Sequence, residues 1–122
     1  MKEISSVFIP DENARRSLAA KLGMEYNVGM QDWEYEVSDS NRVAEYILEY
    51  DRSETTVKEK QSLMEIILDS MNDLLEMGRT QDFERYFNNV KKSLMMNDKI
   101  HAGTLHYWTN NDFRISDKLL EK

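Results

Sequence analysis

Apolar residues along this chain recur at helical spacing, and the longest such run sets the expected architecture. Between Thr56 and Gly78, the residues Leu63, Met64, Ile66, Ile67, Leu68, Met71, Leu74 and Leu75 cover more than one narrow stripe. A helix with that pattern is touched on several sides. Thr56 and Glu59 have the spacing of a capping box, and Gly78 stands where a helix stops. The pattern predicts a helix of roughly 33 Å, long enough to be the central element. Met64 and Met71 fall in its core stripe as gap fillers.

The flanking elements are shorter. Val43, Tyr46, Ile47 and Tyr50 repeat at i, i+3, i+4, i+7 behind Ser38 or Asp39 as a cap, with Glu45 and Glu49 on the flank of that face. After the central helix, Thr80 offers a cap, and Phe83, Tyr86, Phe87, Val90 and Leu94 mark a buried face. Lys91 and Lys92 suit the negative end of that helix's dipole. One of Met95 and Met96, at its end, should face outward. The short Gly78-Arg79 link makes these two helices antiparallel neighbours.

A first helix is expected from about Glu12 to Leu22, between Asp11 as cap and Gly23 as stop. Its few apolar residues, Leu18, Ala19 and Leu22, make it peripheral. Met24 to Met30 reads as a loop. Ile100 to Trp108 reads as a short helix despite Gly103, Asn110-Asn111-Asp112 as a turn, and Phe113 to Ser116 as extended before a fraying charged tail. Residues 1 to 10 read either as a short extended arm, since Ile4, Val7, Phe8 and Ile9 prefer strands, or as a frayed end. The expectation is one all-α domain over residues 1–122, a bundle of four to five helices around a long central one. A single proline and four glycines fit long helices better than a sheet with many tight turns.

Charge narrows the partners. The formal net charge is −7, which disfavours nucleic acid and anionic membrane as ligands, because both need clustered Lys and Arg. No cysteine is present, so thiol chemistry and disulfides are excluded and a reducing compartment is permitted. No apolar run approaches the roughly 18 residues of a spanning helix, and the start is too weakly apolar for a secretory signal. The expected location is cytoplasmic.

Catalytic and metal-binding patterns are absent. There is no Gly-x-Ser-x-Gly, no Gly-rich phosphate loop and no Glu-x-x-His, and His101 and His106 are five apart, on different faces of any helix. The i,i+4 carboxylates Glu45/Glu49 and Glu65/Asp69/Asp73 read as solvated acidic faces. The reading is a non-enzymatic chain with no cofactor and no metal.

The most informative stretch is Gln31 to Glu54. It carries Asp32, Glu34, Glu36, Asp39, Glu45, Glu49, Asp51 and Glu54 against Arg42 and Arg52 alone, so nearly all of the net charge lies in a fifth of the length. Trp33, Tyr35, Tyr46 and Tyr50 are threaded through it. Aromatics among carboxylates can anchor a protein partner while the charge steers a basic surface toward them. An immunity- or antitoxin-like inhibitor that occludes a basic partner, such as a toxin domain, is therefore expected. Asp32, Glu34, Glu36, Glu45, Glu49 and Asp51 would steer, and Trp33, Tyr35 and Tyr50 would supply contact area. The bland reading of Trp33 is that it packs onto the bundle. The competing function is a self-associating module, a homodimer pairing through its aromatic patch.

The order Gln31-Asp32-Trp33-Glu34-Tyr35-Glu36-Val37, then Leu63-Met64-Glu65-Ile66-Ile67, then His106-Tyr107-Trp108 followed by Phe113-Arg114-Ile115-Ser116 resembles a group of small acidic bacterial proteins without an assigned activity. The resemblance covers about residues 28 to 120. It implies a compact helical fold and a bacterial source, and it supplies no activity and no functional residue.

Overall fold

Helix signals dominate the chain and strands never form among residues 8–121, the part that the computed structural model describes. These residues form seven α-helices: α1 (Glu12–Leu22), α2 (Trp33–Glu36), α3 (Val43–Tyr50), α4 (Val57–Glu76), α5 (Thr80–Met96), α6 (Ala102–Thr109) and α7 (Arg114–Leu120). A 3₁₀ turn at Ser40–Arg42 leads into α3. The all-α class and the long central helix are as expected, but a bundle of four to five helices is not what forms. The expected N-terminal arm lies mostly outside the described residues, and residues 8–10 carry no regular structure.

Two helices account for the larger number. The four-residue α2 is too short for a 3.6-residue period to register, and its alternation of polar and apolar residues mimics a strand. α7 falls where an extended segment and fraying tail were expected. Ile115 and Leu119, four apart, are both buried in the core, and the Phe113 N–H donates to Ser116 Oγ at 3.2 Å, closing the first turn. Burial of that i,i+4 pair holds a tail that its charge alone would release.

Local signals place the remaining boundaries. Ala14 N–H donates to Asp11 Oδ2 at 2.9 Å, and Gly23 at φ 66° ends α1 in the left-handed conformation. The Thr56–Glu59 capping box is complete in both directions, at 3.1 and 2.9 Å. Gly78, at φ 75°, lets Arg79 N–H reach back to Leu74 O at 2.8 Å and closes α4. Thr80 does not cap α5 but is its first residue, with Arg79 in the cap position. Met95 and Met96 both face solvent.

α4 is the hub, and α1, α2, α3, α5, α6 and α7 all pack against it. Leu63, Met64, Ile66, Ile67, Leu68, Met71 and Leu74 are buried over roughly half of its circumference, and Ser62, Glu65 and Asn72 are buried on the other side. Complete burial of each such apolar side chain stabilises by about 1.5–3 kcal/mol, which is why one long helix with so broad an apolar face can organise the six others. α1 is less peripheral than its composition suggests, since Leu18 is fully buried and Arg15 nearly so. No helix among the described residues is long and apolar enough to cross a membrane.

Candidate functional site

Folding splits the acidic 31–54 segment into two populations. Trp33, Glu34, Glu49 and Tyr50 are buried, Tyr35 is half-buried, and Asp32, Glu36, Glu45 and Asp51 are exposed. Trp33 is 0% exposed and its indole N–H donates to Glu25 O at 2.7 Å, so the bland reading of this tryptophan holds. Tyr50 is an internal bond partner as well, accepting from Asn97 Nδ2 and lying 2.7 Å from His101 Nε2. Neither ring offers a surface anchor.

The buried acids of this segment are paired. Glu34 meets Arg15 in a bidentate fork at 2.6 and 2.9 Å and accepts from Ser62 Oγ, while the rest of the guanidinium binds Met30 O and Gln31 O. Glu49 lies 3.8 Å from Lys21 Nζ and 3.6 Å from Arg52 Nη1. Both acids therefore hold α1, α2 and α3 to the core, and steering falls to the exposed members.

A different set of carboxylates has no such compensation. Glu65, Asp69, Asp73 and Glu76 follow one side of α4 and grade from fully buried through half-buried to exposed. The expected solvated face is thus largely inside. Among the described residues, none of the four lies within ion-pair distance of a cation. Burial raises the Glu65 carboxyl above its ordinary range, against the opposing donors Thr104, Tyr35 and Trp108. Burial and neighbouring acids raise Asp73, and burial raises Asp69 despite the Ser38 hydroxyl, which donates at 2.5 Å. Asp73 and Glu76 also occupy the last turn of α4, where the helix dipole is negative and disfavours anions.

Two clefts open along this file. The first, about 470 Å3 and open to solvent, is lined by Ser38, Asp39, Ser40, Asp73, Glu76 and Met77. The Asp39 N–H donates to Ser70 Oγ at 3.0 Å and pins the 38–40 turn to α4, which brings Asp39 to the cleft that Asp73 and Glu76 line. The second cleft, about 360 Å3, lies between α2 and α6 with Glu65 at its floor and Tyr35, His106, Tyr107, Asn110 and Asn111 around it. Glu65 Oε1 accepts from Tyr35 Oη at 2.7 Å and Trp108 Nε1 at 3.1 Å, and Oε2 accepts from Thr104 Oγ1 at 2.5 Å.

Sequence reasoning singled out Tyr35 but missed Asp73 and Glu76 beside Asp39 at one cleft and Glu65 at the other. The signal was the i,i+4 register of Glu65, Asp69 and Asp73, with Glu76 three residues on, along the side of α4 opposite its apolar arc, where α2 and the 38–40 turn pack. Among the described residues, no group of three or more His, Asp or Glu is placed to hold a metal ion. No family model, no curated protein and no solved structure matches the chain.

Proposed function

We propose that this chain is a non-enzymatic protein-binding domain, an immunity- or antitoxin-like inhibitor that covers a basic surface of a partner such as a toxin domain. The observation that carries this reading is the uncompensated carboxylate file on α4. Asp39, Asp73 and Glu76 line one cleft, and Asp69 accepts from Ser38 of the 38–40 turn with no cation within ion-pair distance among the described residues. Like charges gathered on a helix end whose dipole opposes them cost the free protein stability. A cationic partner relieves that cost on binding, so part of the strain held in the free state becomes affinity. The exposed Asp32, Glu36, Glu45 and Asp51 extend the negative field and speed encounter with a basic patch. Contact area comes from Tyr35 and from the exposed Met77 beside the acids, in place of the buried Trp33 and Tyr50. The self-associating alternative loses those same two aromatics.

The test is a pull-down from the native host with tagged protein at low and at high salt, repeated with Asp73→Lys/Glu76→Lys. A stoichiometric basic partner is expected to wash off as salt rises and to be lost in the double variant. Glu84→Lys/Asp98→Lys, the same change in charge at two exposed residues away from the cleft, is the control for net charge. A partner indifferent to salt and to charge reversal at 73 and 76 sinks the proposal.

A further inference from the structure

The cleft between α2 and α6 is lined mainly by acceptors, the exception being the His106 ring, whose Nδ1 accepts from Asn110 and whose Nε2 therefore carries the proton. The Tyr35 hydroxyl spends its proton on Glu65, so its oxygen offers only lone pairs to anything in the cleft. The Asn110 side-chain amide donates to His106 O at 2.9 Å and to His106 Nδ1 at 3.2 Å, and that of Asn111 donates to Tyr107 O at 2.8 Å. Those bonds fix the amide orientation and leave both Oδ1 atoms unspent. They also place the cleft at the C-terminal end of α6, the negative pole of its dipole. Beneath it, Glu65 is 1% exposed, is held by three neutral donors and has no cation within ion-pair distance among the described residues. The apolar part of the wall is aromatic, from Tyr35, Tyr107 and Phe8, and Tyr107 is 42% exposed.

We infer that this cleft receives the side chain of one lysine or arginine from the basic partner, its cationic head over Glu65 and Tyr35 and its alkyl stem against Tyr107. An anionic ligand would leave acceptors facing acceptors, and a neutral donor would gain no charge attraction from the carboxylate and the helix dipole. A cation with several N–H donors satisfies Tyr35 Oη and the two asparagine oxygens together and gains from the aromatic faces. The source of the side chain rests on the proposed function above; the cleft chemistry does not, and the two fail separately.

The experiment titrates the full chain, ¹⁵N-labelled, with n-butylguanidinium and n-butylammonium, and with n-butylurea as the neutral isostere. The signals followed are the Trp108 indole N–H and the side-chain amides of Asn110 and Asn111. For so small a cation, saturable shifts are expected on the order of millimolar, with none from butylurea. Tyr35→Phe should weaken binding about ten-fold. Because that variant also removes a bond to Glu65, Tyr107→Ala on the exposed wall is the second probe, with a loss of roughly three-fold. Asp73→Asn/Glu76→Gln should leave the affinity within about two-fold, which separates the cleft from general attraction to an acidic surface. No saturable shift, or equal binding of butylurea, overturns the inference even if a basic partner is recovered. Saturation by the cations, with recovered partner indifferent to Tyr107→Ala, overturns the partner as source and leaves a free amine.

Discussion

Acidification should destabilise this protein through one buried histidine. His101 is 0% exposed, its Nε2 lies 2.7 Å from Tyr50 Oη, and its Nδ1 has no partner among the described residues. Tyr50 Oη already accepts from Asn97 Nδ2 at 3.1 Å, so the hydroxyl donates to Nε2 and the ring is neutral with its proton on Nδ1. Burial, aided by the ammonium of Lys60, pulls the His101 pKa down from 6.5 to about 4. Lys60 lies 4.8 Å from the centre of the Tyr50 ring, so a second proton on His101 would meet a cation close by.

A folded pKa below the unfolded one gives stability that is present above pH 6.5 and is lost as pH falls toward 4. The shift of about 2.5 units corresponds to roughly 3 kcal/mol when complete, and to about 2 kcal/mol between pH 7 and pH 5. Glu65, Asp69 and Asp73 act in the opposite sense. Their pKa values are raised, so their contribution is present at low pH and is lost as pH rises through their folded values. Wild type alone therefore reports a sum. Urea unfolding of wild type and His101→Gln at the two pH values isolates the histidine. The variant should start less stable at pH 7 but lose about 2 kcal/mol less on going to pH 5. An NMR titration of the ring in wild type should show a midpoint near 4 rather than 6.5. Equal losses in both proteins, or a midpoint at the ordinary value, would refute the reasoning.

Two other perturbations test the same electrostatic logic. Arg15→Met strands the Glu34 carboxylate, which has Ser62 as its other donor, and should cost about 3–5 kcal/mol in urea unfolding; a loss under about 1 kcal/mol would show that water replaces the guanidinium. Asp73→Asn removes a half-buried anion from the negative end of α4 and from the neighbourhood of Asp69 and Glu76. It should stabilise the free protein by about 0.5 kcal/mol while weakening the partner complex, and a destabilised variant would mean that Asp73 makes a structural contribution to the fold.

α4 could be read from the residues because every signal on it is local. A capping box at Thr56, a stop at Gly78 and a broad apolar face at helical spacing all act within one element. The same holds for α1, whose Asp11 cap and Gly23 stop need nothing beyond their own turns. α2 and α7 were hidden because their stability comes from what they rest on: a four- to seven-residue helix has too few internal bonds to form alone, and it is packing on α4, and for α7 on α6 as well, that holds it. The charge pattern of residues 31–54 was visible, but the fates of its members were not. Glu34 is buried because Arg15, nineteen residues earlier, reaches it, and Glu49 because Lys21 and Arg52 flank it. Among the described residues no such partner reaches Glu65, Asp69, Asp73 or Glu76, and that difference turns an acidic composition into a candidate site. Composition and periodicity determined an acidic, all-helical chain with one dominant helix. Tertiary packing alone decided which carboxylates are neutralised, because pairing depends on distances between elements that sequence spacing does not encode.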